Sequence, residues 1–258
     1  MSKQLLMYEK VAPLNKAEHK DWSLKASNDY SFARELNSVP LTAAEFPLAA
    51  SEYAIVFTGN DEAVMPAVIM GVSSGENLYV DDEQHWKAHY VPAFIRRYPF
   101  VFSANDDQSQ LLLCIDESFQ GFNTEGRGER LFDNEGEQTQ YLGHILSFLE
   151  DYQTHFRHTQ LFCQKLVELE LLKPMTASVK VADGSNRNVT GFLGVDRDKL
   201  KKLAPETLAE LAANDWLELI YVHLHSIRSF GLTMERMLAG QAVGSEPAGD
   251  NESAPADA

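Results

Sequence analysis

Apolar and polar residues are distributed along this chain in blocks short enough to mark individual elements. The continuous apolar run "YAIVFT" over residues 53–58 predicts a buried strand, and "GNDE" stops it. "MPAVIMGV" over 65–72 predicts a second strand, ended by "SSGEN", and "LYVD" over 78–81 a third; this spacing gives an antiparallel meander. "FVFS" and "QLLLCID" predict two more strands. From Thr139 to Leu172, the apolar residues Leu142, Ile145, Leu149, Tyr152, Phe156, Cys163 and Leu166 recur at three- and four-residue steps. That is the spacing of one helical face, and Pro174 is expected to end the helix. The mixture then repeats on a smaller scale. "ASVKVA" and "NVTGFLGVD" read as strands joined by the turn "DGSNRN". "DRDKLKKL" and "APETLAELAAND" read as short helices, the second opening at Pro205 or Thr207, and "WLELIYVHLHSIRSFGLTMERML" as a final apolar helix. The first fifty residues carry few periodic signals and, with Pro40 and Pro47, read as loop and short helix wrapped on the core.

The fold class expected from this order is α+β: an antiparallel β-sheet region packed on a long helix, followed by a smaller strand-and-helix portion. Residues 1–239 read as one domain or as two closely packed lobes. Residues 240–258 are small, acidic and Pro-containing, and are expected to form a disordered tail.

Charge narrows the partners. Lys plus Arg is 22 and Asp plus Glu is 38, so the formal charge is 22 − 38 = −16. A field of that sign repels nucleic-acid phosphates and anionic membranes. There is no apolar run long enough for a membrane span, and Glu9 and Lys10 interrupt the stretch a signal peptide would need. The expectation is a soluble cytoplasmic protein. Cys114 and Cys163 sit in apolar contexts and read as buried thiols in a reducing compartment.

Against this acidic background, "HWKAHYVPAFIRRYPF" over 85–100 combines two adjacent arginines, aromatic side chains and two prolines. Pro92 suits the first turn of a helix, and Pro99 stops it. At about 100° per residue, Phe94, Ile95 and Tyr98 share one face, with Arg96 nearly opposite and Arg97 at the edge. Two readings stay open. The guanidinium groups, with Trp86, Tyr90 and Tyr98, could clamp an acidic or aromatic peptide. Alternatively, the arginines neutralise neighbouring carboxylates while the aromatics pack the core, a packed corner with a partly exposed Arg edge. The candidate binding set is Trp86, Tyr90, Arg96, Arg97 and Tyr98, joined by Asp133 of the Gly-rich loop over 121–140 and by His223.

Other polar groupings are weaker. His85 and His89 are four apart, but Pro92 places the helix start after them. Asp151, His155 and His158 share a helix face that reads as solvated, with Asp151 pairing His155. His223 and His225 diverge on a helix, and His223 reads as a buried histidine or as a general acid–base. His19 and Asp21 have the H-x-D form of some iron sites but lie in a weakly patterned segment. "DNEGE" departs from a calcium loop in the position of its Gly and reads as a turn on Gly136. Asp116, Glu117 and Asp133 are candidates for a carboxylate pair, which spacing alone does not establish. Phosphate-loop, dinucleotide-loop, nucleophile-elbow and C-x-x-C patterns are absent. No metal and no cofactor is expected.

The segments "YVPAFIRRYPF", "CIDESFQGFN", "RLFDNEGEQTQYL", "TGFLGVDRDKL" and "LIYVHLHSI" resemble, in this order, those of the SapC family of bacterial proteins. The resemblance spans about Val39 to Leu238, with Val222 standing where Ala is expected before the His of the last motif. By its name the family is linked to bacterial surface layers. Its members often occur beside flavin-dependent tryptophan halogenases, cupin-type hydroxylase-like proteins and outer-membrane receptors for nutrient uptake. It has no established catalytic residues to carry over. The missing catalytic motifs, the rigid aromatic–Arg segment and the family's usual neighbours together lead to the expectation of a non-enzymatic accessory protein that binds a partner protein or peptide, in a bacterial nutrient-uptake or peptide/amino-acid tailoring pathway, through a surface that includes Arg96, Arg97 and the Gly-rich loop over 121–137. The alternatives are an enzyme that modifies a peptide or amino acid through His223 and Asp133, and a surface-layer component. Neither nucleic acid nor membrane is an expected partner.

Overall fold

The computed structural model describes residues 6–60, 63–104, 111–180 and 186–227. The expected tail over 240–258, the first half of the "DGSNRN" turn and the end of the last helix lie outside these residues. In chain order the elements are β1 (Val11–Pro13), α1 (Lys16–His19), β2 (Ser23–Leu24), β3 (Ser38–Pro40), α2 (Phe46–Ala49), β4 (Ala54–Thr58) and β5 (Met65–Ile69). Next come α3 (Ala93–Arg96), β6 (Phe100–Ala104), β7 (Leu111–Asp116), β8 (Phe122–Asn123), β9 (Glu129–Arg130) and α4 (Gln140–Glu168). The chain continues through β10 (Leu172–Lys180), β11 (Asn186–Val195), α5 (Arg197–Leu200), α6 (Pro205–Ala213) and α7 (216–227). This is an α+β fold with antiparallel sheets and one long helix, as the pattern predicts.

The strands form three antiparallel sheets, ordered β10-β11-β4-β5-β3, β1-β7-β6 and β8-β2-β9. The apolar runs of β4 and β5 pair directly, Ile55 opposite Val68 and Phe57 opposite Pro66, and are almost entirely buried. Their third neighbour is not the expected strand at 78–81. It is β3, which precedes both in the sequence and pairs Val39 with Val68. Residues 78–81 instead make a tight turn with a lone bridge from Val80 to Trp86. The reason is local: the Asn77 carbonyl accepts from Tyr79 N at 2.9 Å while its amide donates to Ala33 O at 2.9 Å, offering the backbone an alternative to a ladder.

α4 begins on a Thr139 cap, whose hydroxyl accepts from Leu142 N. Its buried stripe spans two cores. Leu142 and Leu149 pack with Phe100, Ile115 and Leu131 near β6 and β7, while Phe162, Cys163 and Leu166 join the larger core of the five-stranded sheet. The helix stops at Glu168, short of the expected end. Glu170 takes φ +50°, Leu171 N donates to Leu166 O at 2.9 Å, and Glu170 N donates to Val167 O at 2.9 Å. These paired bonds close the last turn, so Pro174 is not the terminator. It lies in β10, an edge strand where a missing N–H is tolerated. Pro205 occupies the first turn of α6.

The smaller strand-and-helix portion continues the first sheet. β11 meets β4 at a single register pair, Leu193 with Phe57. Side chains of α7 add further links: Ser226 Oγ accepts from Ile55 N at 3.0 Å, and His223 bridges Ile55 O to Val195 N.

A candidate binding groove

Residues 85–100 are tied down by carboxylates from elsewhere in the chain. Glu52 accepts from the backbone N–H groups of His89 and Tyr90 at 2.9 and 2.8 Å. Burial raises the Glu52 pKa, but those bonds and the His89 side chain outweigh it and hold the carboxyl below its ordinary value. Glu45, almost fully buried, accepts from Thr42 N, Thr42 Oγ1, Tyr90 Oη and Ala93 N at 2.7–2.8 Å. Trp86 Nε1 donates to Tyr53 Oη, which donates in turn to Tyr90 O. Trp86 and Tyr90 are therefore committed to the scaffold through their polar atoms.

α3 lasts only one turn, and the two arginines separate. Arg96 is exposed; its Nε donates to Val91 O at 2.9 Å and its guanidinium lies over Tyr90 and Phe148. Arg97 is only 3% exposed and packs its guanidinium against Phe94, Tyr152 and Tyr8, at 4.2, 5.3 and 5.9 Å from the ring centroids. The dense stretch is thus a packed corner with Arg96 as its exposed edge, and Arg97 belongs to the core rather than to that edge.

Tyr98, the next residue, opens outward into a groove of 810 Å³ between residues 6–9, 25–36 and 118–121. Its ring stacks on Phe32 at 4.1 Å and meets Phe119 edge-on at 5.3 Å, so three aromatic side chains form the floor. Its hydroxyl donates to Asp116 Oδ2 at 3.3 Å. Asp116 is fully buried and also accepts from Glu9 N, Lys10 N, Ser118 N and Ser118 Oγ. Burial raises its pKa, but the Ser118 hydroxyl and the three backbone N–H groups outweigh it, and the carboxyl stays below its ordinary value. One wall depends on Gly121: a Cβ there would lie 2.3 Å from the Phe119 ring, and Lys25 N donates to Gly121 O at 3.0 Å. Glu9, Asp29, Glu35, Lys25 and Arg34 line the rim, with Arg34 paired to Asp82 at 3.1 Å.

Asp116→Asn turns one acceptor into an NH2 group facing backbone donors. It is expected to lower the unfolding free energy by about 1–3 kcal/mol and to release the segment at Glu9 and Lys10. Tryptic cleavage after Lys10, followed by mass spectrometry, is then faster in the variant than in the wild type; equal rates would remove Asp116 as the anchor of this wall.

The remaining candidates lie in other surroundings. Asp133 Oδ1 accepts from Glu135 N and Glu137 N in a turn that includes Gly136 at φ +80°, and these bonds hold its pKa down. It shares no interaction with Asp116. His223 is fully buried, and both its ring nitrogens are engaged by backbone groups. Asp151, His155 and His158 are exposed on α4. Both cysteines are buried, and burial pushes the Cys163 thiol up to about 12. His19 is fully buried, with Nε2 3.2 Å from Glu117 Oε1, and Asp21 is exposed. Glu18, His19 and Glu117 bring ligand atoms within 4.8 Å of one another and could hold a cation. The Lys10 ammonium, 2.7 Å from Glu117, already supplies a positive charge there.

Of the sequence-derived candidates only Tyr98 lines the groove. Phe32 and Phe119 join it from segments remote in sequence. Neither residue has a spacing signal that links it to Tyr98, although Phe119 falls within the "CIDESFQGFN" segment.

A family model described as SapC matches residues 14–232. No curated protein and no solved structure matches the chain. No helix among the described residues is long and apolar enough to cross a membrane.

Proposed function

The chain belongs to the SapC family, whose model covers most of its length, and from that premise we propose that it is a non-enzymatic accessory protein that binds a partner protein or peptide in this groove. The observation that carries the reading is the groove itself: 810 Å³, floored by Phe32, Tyr98 and Phe119 and rimmed by charges of both signs. A mixed apolar and polar trough of this size suits a stretch of polypeptide. The floor is preorganised, since Asp116 fixes the Tyr98 hydroxyl and the 118–121 turn together. Preorganisation lowers the entropy cost of binding. His223 and Asp133, the residues an enzymatic reading would use, are both occupied by backbone partners. The setting we propose is the cytoplasm of a bacterium, in a nutrient-uptake or peptide/amino-acid tailoring pathway.

The test is site-specific photocrosslinking in cells that express the protein natively. A photoreactive benzoylphenylalanine at Gln120, which lines the groove, is compared with one at the exposed Glu206 on α6. The expected result is a discrete adduct from position 120 alone, lost when Phe32→Ala is added. Adducts shared by both positions, or none from position 120, would overturn the groove as the partner site.

A further inference from the structure

We infer that the groove recognises an arginine side chain of the bound peptide, its guanidinium laid on the floor of Phe32, Tyr98 and Phe119 and its fork turned to the carboxylates of the rim; this rests on the groove being the partner site. Aromatic faces attract a guanidinium through the ring quadrupole, and a planar delocalised cation stacks where an ammonium does not. The floor residues are each partly exposed; Phe32 and Tyr98 cover one face of each other by stacking and Phe119 meets Tyr98 edge-on, so a ligand meets the ring surfaces that these contacts leave. Glu9 and Glu35 line the same groove, are exposed, and make no ion pair among the described residues. A third carboxylate, Asp29, also lines the groove and accepts from Ser31 N. Of the two cations present, Arg34 is paired with Asp82, which leaves the carboxylates the stronger influence. The chain's net charge of −16 adds a field that draws cationic segments in and repels acidic ones.

The protein already uses this chemistry. Arg97 holds its guanidinium among Phe94, Tyr152 and Tyr8, and Tyr8 packs edge-on against Tyr98 at 5.2 Å. The groove thus offers, one ring further out, the kind of aromatic surface on which an arginine of this chain is buried. Its volume exceeds what one arginine side chain fills, which leaves room for the residues on either side of the anchor. An acidic peptide finds no comparable match, because it would set its charges against Glu9, Asp29 and Glu35.

The experiment is selection from a phage-displayed random peptide library on the full chain, followed by fluorescence anisotropy with the enriched peptides. Enriched sequences are expected to carry arginine. Replacing that arginine with citrulline, which keeps the shape and removes the charge, is expected to weaken binding by about tenfold or more, and replacing it with lysine by a smaller factor. Phe119→Ala is expected to weaken binding similarly. Glu35→Gln, at an exposed position that does not threaten folding, is expected to weaken it by about two- to fivefold and to flatten its salt dependence. Enriched peptides without arginine that still lose affinity in Phe119→Ala would overturn the arginine inference and leave the groove as the partner site. Peptides insensitive to both Phe119→Ala and Glu35→Gln would overturn the two together, as would a library that yields no binder.

Discussion

Glu45→Ala is expected to lower the unfolding free energy by about 3–5 kcal/mol, the effect of removing a buried charged acceptor whose donors stay behind. Glu45 lies at the junction of three segments. Its carboxylate closes a capping box on the short 3₁₀ turn at Ala43–Glu45 by accepting from Thr42 N and Thr42 Oγ1. The other oxygen accepts from Tyr90 Oη and from Ala93 N, and so fixes the start of α3. The same turn touches the long helix, where Ala43 N donates to Thr159 Oγ1 at 2.8 Å. Alanine leaves the N–H groups of Thr42 and Ala93 in an interior that water does not reach. Glu45→Gln keeps one carbonyl but sets an NH2 against donors, so an intermediate loss is expected. Urea titrations followed by circular dichroism and by tryptophan fluorescence measure both variants, with the exposed Glu206→Ala as a reference near zero. A loss below about 1 kcal/mol in Glu45→Ala would mean that the 85–100 segment is held by its apolar packing alone.

The hydrophobic pattern made the α+β class, the β4–β5 pair and the long helix legible, because each depends on a local period or an uninterrupted apolar run. It misplaced what depends on a single side chain. Asn77 turns residues 78–81 away from a ladder, and the left-handed Glu170 ends α4 before Pro174 is reached. The segment with the least periodicity, residues 1–50, contributes three short strands and much of the groove, through contacts with residues far along the chain: Val11 pairs with Asp116 and Phe32 stacks on Tyr98. No window of sequence contains both halves of such a contact. For the same reason the proline-bracketed stretch revealed its rigidity but not which arginine faces water. That is decided by Tyr152 and Phe148, both on α4, and by Tyr8 near the N-terminus.

His223 gives the protein a pH dependence that begins well above the carboxylate range. Its Nε2 accepts from Val195 N at 3.0 Å, so the ring is neutral and Nδ1 donates to Ile55 O at 2.8 Å. Burial lowers its pKa from 6.5 to about 4, only partly opposed by the bond to Ile55 O. The unfolded chain therefore takes up a proton near pH 6.5 that the native state refuses until about pH 4. Stability is complete above the upper value and falls as pH drops between the two, approaching about 1.4 kcal/mol per pH unit and about 3 kcal/mol in all. Protonation at Nε2 would point two N–H donors at each other across the β4–β11 junction, where only one ladder pair, Leu193 with Phe57, remains. The element expected to loosen first is thus α7 with β11, not the β4–β5 pair. His223→Gln retains an acceptor and a donor without a titrating proton. Denaturant titrations from about pH 7.5 to about pH 5 should show a shallower loss in the variant than in the wild type, by close to one proton. The depressed carboxyls of Asp116, Glu52 and Asp133 act in the same direction and are common to both proteins, so they cancel in the difference. Parallel pH profiles would show that the His223 link carries no net proton linkage, and that α7 is held to the sheet by its apolar face.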